Sequence, residues 1–222
     1  MRTIRVLIVD DQPLIRSGLH ATFAQADDIV VVGEAANGVD AVRMVRSQQP
    51  DVVLMDIDMP RMNGLTATRE IVALDRKKPT KVVILTIFDQ DEHLFDALRS
   101  GASGFILKHA PIERLLEAVR EAAEGDALLS PSVTRRLIDE FARRPELSSG
   151  SAQTLDQLTE REREVFRLLV RGYSNEEIAR TLVLGDSTIK SHVQHLYQKL
   201  GVRDRVQVVI YAYENGLVPV SP

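Results

Sequence analysis

Five polar residues stand immediately after short apolar runs in the first half of the chain. Asp10 and Asp11 follow Ile4 to Val9, Asp56 follows Val52 to Met55, Thr86 follows Lys81 to Leu85, and Lys108 follows Gly104 to Leu107. Three carboxylates, a hydroxyl and an ammonium form a coherent chemical set if they meet. Gathered carboxylates repel one another unless a hard cation neutralises them, and Mg2+ takes oxygen ligands in that role. A carboxylate can attack a phosphoryl group and form an acyl phosphate. The cation and the lysine would then stabilise charge on the equatorial oxygens, and Thr86 could donate to one of them. Taken singly, an aspartate after a strand is a turn or capping residue. The specificity lies in the combination.

The elements around these residues supply a reason for them to meet. The apolar runs, with Ile29 to Val32, read as five strands, several of them apolar throughout, as suits strands covered on both faces. Between them, Leu14 to Phe23, Ala41 to Val45, Leu65 to Leu74, Glu92 to Leu98 and Ile112 to Ala122 repeat apolar residues at three- and four-residue spacing. Strand and helix alternate five times, which predicts a doubly wound α/β fold with a parallel sheet. In such a sheet the carboxyl ends of all strands share one edge, where ligands bind.

Pro131 to Phe141 has helical character, with Val133, Leu137, Ile138 and Phe141 on one face. The polar, small-residue stretch Arg143 to Gln153 that follows has the composition of a linker. The expected division is residues 1–124, a linker over 125–154 carrying a partial helix, and a second domain over 155–222.

That second domain announces its helices. Thr159-Glu160-Arg161-Glu162 and Ser174-Asn175-Glu176-Glu177 have the form of capping boxes. The first opens a helix that stops at Gly172. The second opens a short helix that buries Ile178, Ala179 and Leu182. A third helix runs from about Ser187 to Leu200, with Asp186 or Ser187 as its cap, and a fourth from Asp204 to Asn215. In the third helix Ile189, Val193, Leu196 and Leu200 form the core stripe. Lys190, Ser191, Gln194 and Gln198 lie opposite, with no acidic residue between 187 and 200. Such donors and amides on one helix suit base edges and phosphates. The same features also describe a solvated helical face. In the fourth helix Val206, Val209, Ile210 and Tyr213 make an apolar stripe, part core and part candidate dimer contact.

Composition excludes more than it assigns. The 222 residues include no cysteine, so there are neither disulfides nor thiolate metal sites. The expectation is a cytoplasmic protein with no membrane partner, since no run of 18 or more apolar residues and no leader-like start appear. A net charge of −4 gives no sign of a nucleic-acid binder. Residues 155–222 carry nine Lys plus Arg against nine Asp plus Glu. Phosphate neutralisation supplies most non-specific affinity, so one copy should bind DNA modestly and pairing on two half-sites should compensate.

Val9-Asp10-Asp11, Met55-Asp56-Ile57-Asp58-Met59-Pro60, Met62-Asn63-Gly64, Leu85-Thr86 and Gly104-Phe105-Ile106-Leu107-Lys108 resemble the receiver domain of two-component response regulators. The resemblance implies the five-stranded flavodoxin-like fold. It makes Asp56 the phospho-acceptor, and Asp10, Asp11, Asp56 and the backbone carbonyl of Asp58 the Mg2+ ligands. It pairs Lys108 with phosphoryl oxygens and makes Thr86 and Phe105 the switch pair. Leu158 to Val165, Gly172 to Ala179, Ser187 to Val193 and Lys199 to Val202 resemble the LuxR-type helix-turn-helix, an all-α four-helix domain. Together the two halves resemble the NarL/FixJ family of transcriptional regulators. That family implies base contacts from Lys190, Ser191 and Gln194, a phosphate contact from Thr188, and a further DNA-facing position at Gln198. It implies double-stranded DNA and a sensor histidine kinase as partners, RNA polymerase as a further one, and a homodimer as the active form. It implies no enzyme beyond slow self-dephosphorylation.

The chain departs from the general pattern at three places. Lys108-His109-Ala110-Pro111 lacks a proline directly after the lysine, so Pro111 is expected in the first turn of the last helix. The switch aromatic is Phe105 rather than tyrosine. Gly185 stands where the helix-turn-helix often has serine. Two other readings stay open. One is a dimeric regulator that works without phosphorylation, controlled by abundance or a partner. The other is an aspartate-nucleophile phosphatase, because Asp56-Ile57-Asp58 also resembles the Asp-x-Asp of haloacid-dehalogenase-type enzymes. Those usually place the pair after the first strand, whereas here it follows the third and Pro60 occupies a position they fill with Thr or Val.

Overall fold

A computed structural model describes residues 3–74, 79–87, 91–125 and 157–217. The chain divides into two compact units, residues 1–128 and 129–222. The expected linker and the helical stretch Pro131 to Phe141 fall almost wholly outside the described residues.

In the first unit five strands, β1 (Ile4–Val9), β2 (Ile29–Ala35), β3 (Val52–Asp56), β4 (Lys81–Thr86) and β5 (Gly104–Leu107), alternate with five helices. These are α1 (Pro13–Phe23), α2 (Gly38–Gln48), α3 (Gly64–Val72), α4 (Asp91–Arg99) and α5 (Ile112–Glu124). All strand pairs are parallel and the order is β2-β1-β3-β4-β5. The unbroken apolar runs are explained by two cores. Val53 and Met55 of β3 join Ala41, Val45, Ala67, Ile71 and Ala97 on one face. Val52 and Leu54 join Phe23, Leu115, Ala118 and Val119 on the other. Every residue of β3 is buried because successive side chains enter opposite cores.

Two boundaries differ from the periodicity. β2 continues through Gly33 and Glu34 to Ala35, because as an edge strand it tolerates polar, exposed positions that hide it from an apolar pattern. Pro111 is the N-cap of α5, one residue before its first turn, and the described residues contain no cis peptide. With φ −53° and ψ 146°, Pro111 holds extended backbone that the helix then leaves.

The second unit comprises α6 (Glu160–Val170), α7 (Asn175–Leu182), α8 (Asp186–Leu200) and α9 (Arg205–Glu214). Both capping boxes form. Thr159 accepts from the Glu162 amide while Glu162 accepts from the Thr159 amide, and Ser174 and Glu177 do the same. The expectation of Asp186 or Ser187 as cap of α8 is corrected. Gly185 is the N-cap with no side-chain bond, and its carbonyl accepts from Thr188 and Ile189 at 3.0 and 3.1 Å. Asp186 is therefore the first helical residue. Leu169, Ile178, Ile189, Val193, Leu196 and Val209 fill the core. Lys199 reaches Glu162 at 2.7 Å and Arg161 donates to the Leu182 carbonyl at 2.8 Å, tying α8 and α7 back to the start of α6. Arg205 donates to the carbonyls of Leu169 and Tyr173, bracing the turn between α6 and α7.

One glycine fixes how close α3 comes to the end of β3. A Cβ on Gly64 would lie 1.9 Å from the Asp56 carbonyl oxygen, backbone against backbone. A Cβ on Gly33 would meet side chains rather than backbone, the flexible end of Met44 at 2.5 Å and Leu7 Cδ1 at 3.3 Å. Gly64→Ala is therefore expected to cost roughly 2 kcal/mol or more and Gly33→Ala clearly less, in urea denaturation of the two variants. Equal costs would contradict this account of the close approach.

Candidate functional site

The strand order reverses direction between β1 and β3, so their carboxyl ends flank the crevice where an open α/β sheet binds ligands. Asp10 and Asp56 stand there, 0% and 6% exposed, with Asp11 exposed beside them. One carboxylate oxygen from each of the three lies within 4.8 Å of the others. Lys108 enters from the end of β5, its Nζ 2.7 Å from Asp10 Oδ2 and 3.1 Å from Asp56 Oδ2, with its side chain 8% exposed. The Lys108 amide donates to the Thr86 carbonyl at 2.7 Å, which locks the ends of β4 and β5 together. Thr86 is buried on the same edge, and Phe105 lies two residues before Leu107, its register partner, half-buried against the α2–α3 core.

Backbone bonds hold the loop after β3. Gly64 donates to the Ile57 carbonyl at 2.8 Å, and Gly38 donates to the Met62 carbonyl at 3.0 Å. Arg61 adopts a left-handed φ of 66° and pairs with Asp40 at 2.8 Å, joining this loop to the start of α2. Asp58 sits in that loop with its side chain exposed.

The electrostatics follow from burial. Burial raises the Asp56 carboxyl to about 6; Lys108 opposes the rise and the neighbouring Asp10 adds to it. Burial acts to lower the Lys108 ammonium, but its bond to Asp10 and the charge of Asp56 outweigh it, and the net shift is upward. Three carboxylates against one ammonium leave an excess of negative charge among oxygen donors. That donor set fits a hard divalent cation such as Mg2+.

Sequence reasoning missed Arg16, Glu34 and His20. Arg16 donates to the carbonyls of Asp10 and Asp11 at 2.7 and 3.2 Å. It also faces Glu34 at 3.4 Å, and Glu34 meets His20 at 2.8 Å. The available signal was a cation near the start of a helix, where the macrodipole disfavours it.

In the second unit Ile189, Val193, Leu196 and Leu200 are buried as expected, and Thr188, Lys190, Ser191, Gln194 and Gln198 are exposed on α8. Ser191 Oγ donates to the Ser187 carbonyl at 3.0 Å, and Lys190 lies 4.0 Å from Asp186. The turn before α8 carries Val183 at φ 54° and 88% exposed. On the fourth helix Val206, Val209, Ile210 and Tyr213 are all buried within the single chain, at 0, 1, 6 and 7% exposure. The i, i+3, i+4 spacing therefore marks a core face, the core part of the expected stripe.

Residues 6–120 match the response regulator receiver domain, and residues 156–212 match the bacterial regulatory proteins of the luxR family. The chain is a response regulator of the NarL/FixJ family. It is 38% identical over 97% of its length to an uncharacterised transcriptional regulatory protein, YxjL, of Bacillus subtilis, covering 97% of that protein. It is likewise 38% identical to the oxygen regulatory protein NreC of Staphylococcus carnosus, over 97% of this chain and 99% of that one. Among solved structures, the response regulator ChrA of a heme-sensing two-component system aligns with TM-score 0.52 and 33% identity over 98% of this chain and all of that one. The receiver domain of a putative response regulator NarL from Mycobacterium tuberculosis aligns over 56% of this chain and 99% of that one, with TM-score 0.53 and 32% identity. Among the described residues no helix is long and apolar enough to cross a membrane.

The raised Asp56 carboxyl gives the regulator a pH signature. A folded value near 6 against 3.8 unfolded means the stability contributed by the protonated form is complete below pH 3.8 and lost as pH rises through 6. In chelator, Asp56→Asn removes that loss. The variant should gain on wild type as pH rises from 4 to 7, reaching about 2 kcal/mol and then levelling. Urea melts at stepped pH read this directly; a difference independent of pH would contradict the strained carboxylate.

Proposed function

We propose that the receiver accepts a phosphoryl group on Asp56 from the phosphohistidine of a sensor kinase, and that this controls DNA binding through α8. The observation that carries the proposal is the meeting of Asp10, Asp11 and Asp56 with Lys108 at 2.7 and 3.1 Å. An Asp56 oxygen forms the new bond to phosphorus as the bond from phosphorus to the histidine nitrogen breaks, and the pair of electrons returns to the imidazole. Asp10, Asp11, Asp56 and the Asp58 carbonyl would hold Mg2+, whose charge, when bound, offsets that of the carboxylates and of the transferred group. Lys108 is placed to leave its carboxylate contacts for a phosphoryl oxygen. The Thr86 hydroxyl follows that oxygen, and the Phe105 ring repacks in the space so opened. The product is a modified regulator with at most slow self-dephosphorylation rather than a turnover enzyme.

On α8, Lys190, Ser191, Gln194 and Gln198 face the major groove, and Thr188 holds a phosphate. The near balance of charge in residues 155–222 makes pairing of two copies on half-sites the step that phosphorylation promotes. The setting is the cytoplasm, with RNA polymerase as the machinery acted upon.

Two measurements test the reading. Acetyl phosphate with Mg2+ should add one phosphoryl group to the wild type and none to Asp56→Asn by intact-mass spectrometry; equal incorporation would place the acceptor elsewhere. Lys190→Ala should weaken operator binding by about tenfold at fixed salt, a loss near 1–3 kcal/mol. Wild-type operator affinity in this variant would remove Lys190 from the interface.

A further inference from the structure

The loop carrying Asp10 and Asp11 is gripped from outside the carboxylate cluster by a single guanidinium. Arg16 Nη1 donates to the Asp10 carbonyl at 2.7 Å and to the Asp11 carbonyl at 3.2 Å. Its Nε faces Glu34 Oε2 at 3.4 Å, and the Arg16 side chain is only 18% exposed. Glu34 belongs to β2, where it pairs in register with Ile8 of β1. The other Glu34 oxygen meets His20 Nδ1 at 2.8 Å. Two side chains of α1 and one of β2 therefore clamp the turn between β1 and α1. Two consecutive carbonyls accept from Nη1 of a planar fork whose Nε faces Glu34; this fixes two successive peptide planes, and with them the directions in which the Asp10 and Asp11 side chains leave the backbone. The Gln12 amide completes the turn by donating to Asp10 Oδ1 at 2.9 Å.

We propose that Arg16 is a positioning residue for the divalent cation: by holding the Asp10 and Asp11 carbonyls it sets the Mg2+ affinity of the receiver, and Glu34 holds Arg16 in place. The proposal rests on the reading of Asp10, Asp11 and Asp56 as the Mg2+ site. Charge and geometry predict opposite results here. Arg16→Ala removes a positive charge and leaves Glu34 uncompensated near the site, which by charge alone would tighten cation binding, by no more than roughly fivefold for a partly exposed pair. Loss of a group that orients metal ligands costs roughly 10–100-fold in metal affinity. Geometry should win, and Mg2+ should bind more weakly.

The test is calorimetric titration of MgCl2 into the full-length protein at fixed pH and ionic strength, with no phosphodonor present. Arg16→Ala should raise the Mg2+ Kd at least tenfold. Arg16→Lys, which keeps the charge but not the fork, should fall between it and wild type, as should Glu34→Gln. Arg120→Ala is the matched control, because it breaks a bidentate pair with Asp28 in the same domain without touching the loop. It should keep the wild-type Kd. If Arg16→Ala does not fold, Arg16→Lys alone decides, with a threefold or greater weakening expected. Arg16 variants within twofold of wild type, or binding more tightly, overturn the proposal while leaving the Mg2+ site standing. A wild-type protein that takes up no Mg2+ overturns both.

Discussion

Confinement of like charges at one edge of the sheet governs the rest of the receiver. Asp10 and Asp56 are buried at the ends of adjacent strands, with Asp11 beside them and the Lys108 ammonium paired with the two buried carboxylates. Such a cluster opposes its own folding, and every surrounding feature constrains it. The strands end in register, Lys108 is fixed by its amide to Thr86, and α3 is pressed so close to the Asp56 carbonyl that only a glycine fits. Arg61, in the loop after β3, and Arg16, in α1, attach the flanking turns to α2 and β2 without contacting the carboxylates of Asp10, Asp11 or Asp56. The result is a braced cluster of oxygen donors that fits a hard divalent cation, and under the proposed function a phosphoryl group as well.

The second unit solves a different problem with different means. Two capping boxes, the Glu162–Lys199 pair and the Arg205 bonds to the turn after α6 build a scaffold from polar contacts at helix ends. The apolar face of α8 is spent on the core, so its polar face stays exposed. Its first turn lacks a side-chain cap and begins with an acidic residue one turn before Lys190. Under the proposed function such a helix would recognise by placement rather than by net charge, in keeping with the balance of acids and bases in the domain.

Much of this was legible in the chain itself. Unbroken apolar runs such as Val52 to Met55 require a sheet covered on both faces, and polar residues at the ends of parallel strands converge whatever the details of packing. The capping boxes at Thr159 and Ser174 are local, so their geometry follows from four residues. Positions that depend on distant partners were not legible in this way. Glu34 lay beyond the apolar run Ile29 to Val32, and its partners Arg16 and His20 belong to another element. The apolar stripe of α9 could be assigned only in part to the core, since periodicity gives the face of a helix but not what covers it, and the fold buries all four of its residues. Asp186 looked like a cap because aspartate commonly is one, while the backbone of Gly185 took that place.

Sequence alone determined the fold class of both domains, their family and which polar residues meet at the sheet edge, because these depend on residue type, period and order along the chain. Tertiary structure decided which cation contacts which oxygen, how deeply Asp56 is buried and hence how far its carboxyl is raised, and which loops are pinned by Arg16 and Arg61. Those depend on separations of a few ångströms between residues remote in the chain, and electrostatic energy in a poorly hydrated site changes steeply over that distance. The carboxylates could be named from their order in the chain. Only the fold could show that Lys108 pairs with two of them and that an arginine of α1 binds the backbone carbonyls of Asp10 and Asp11.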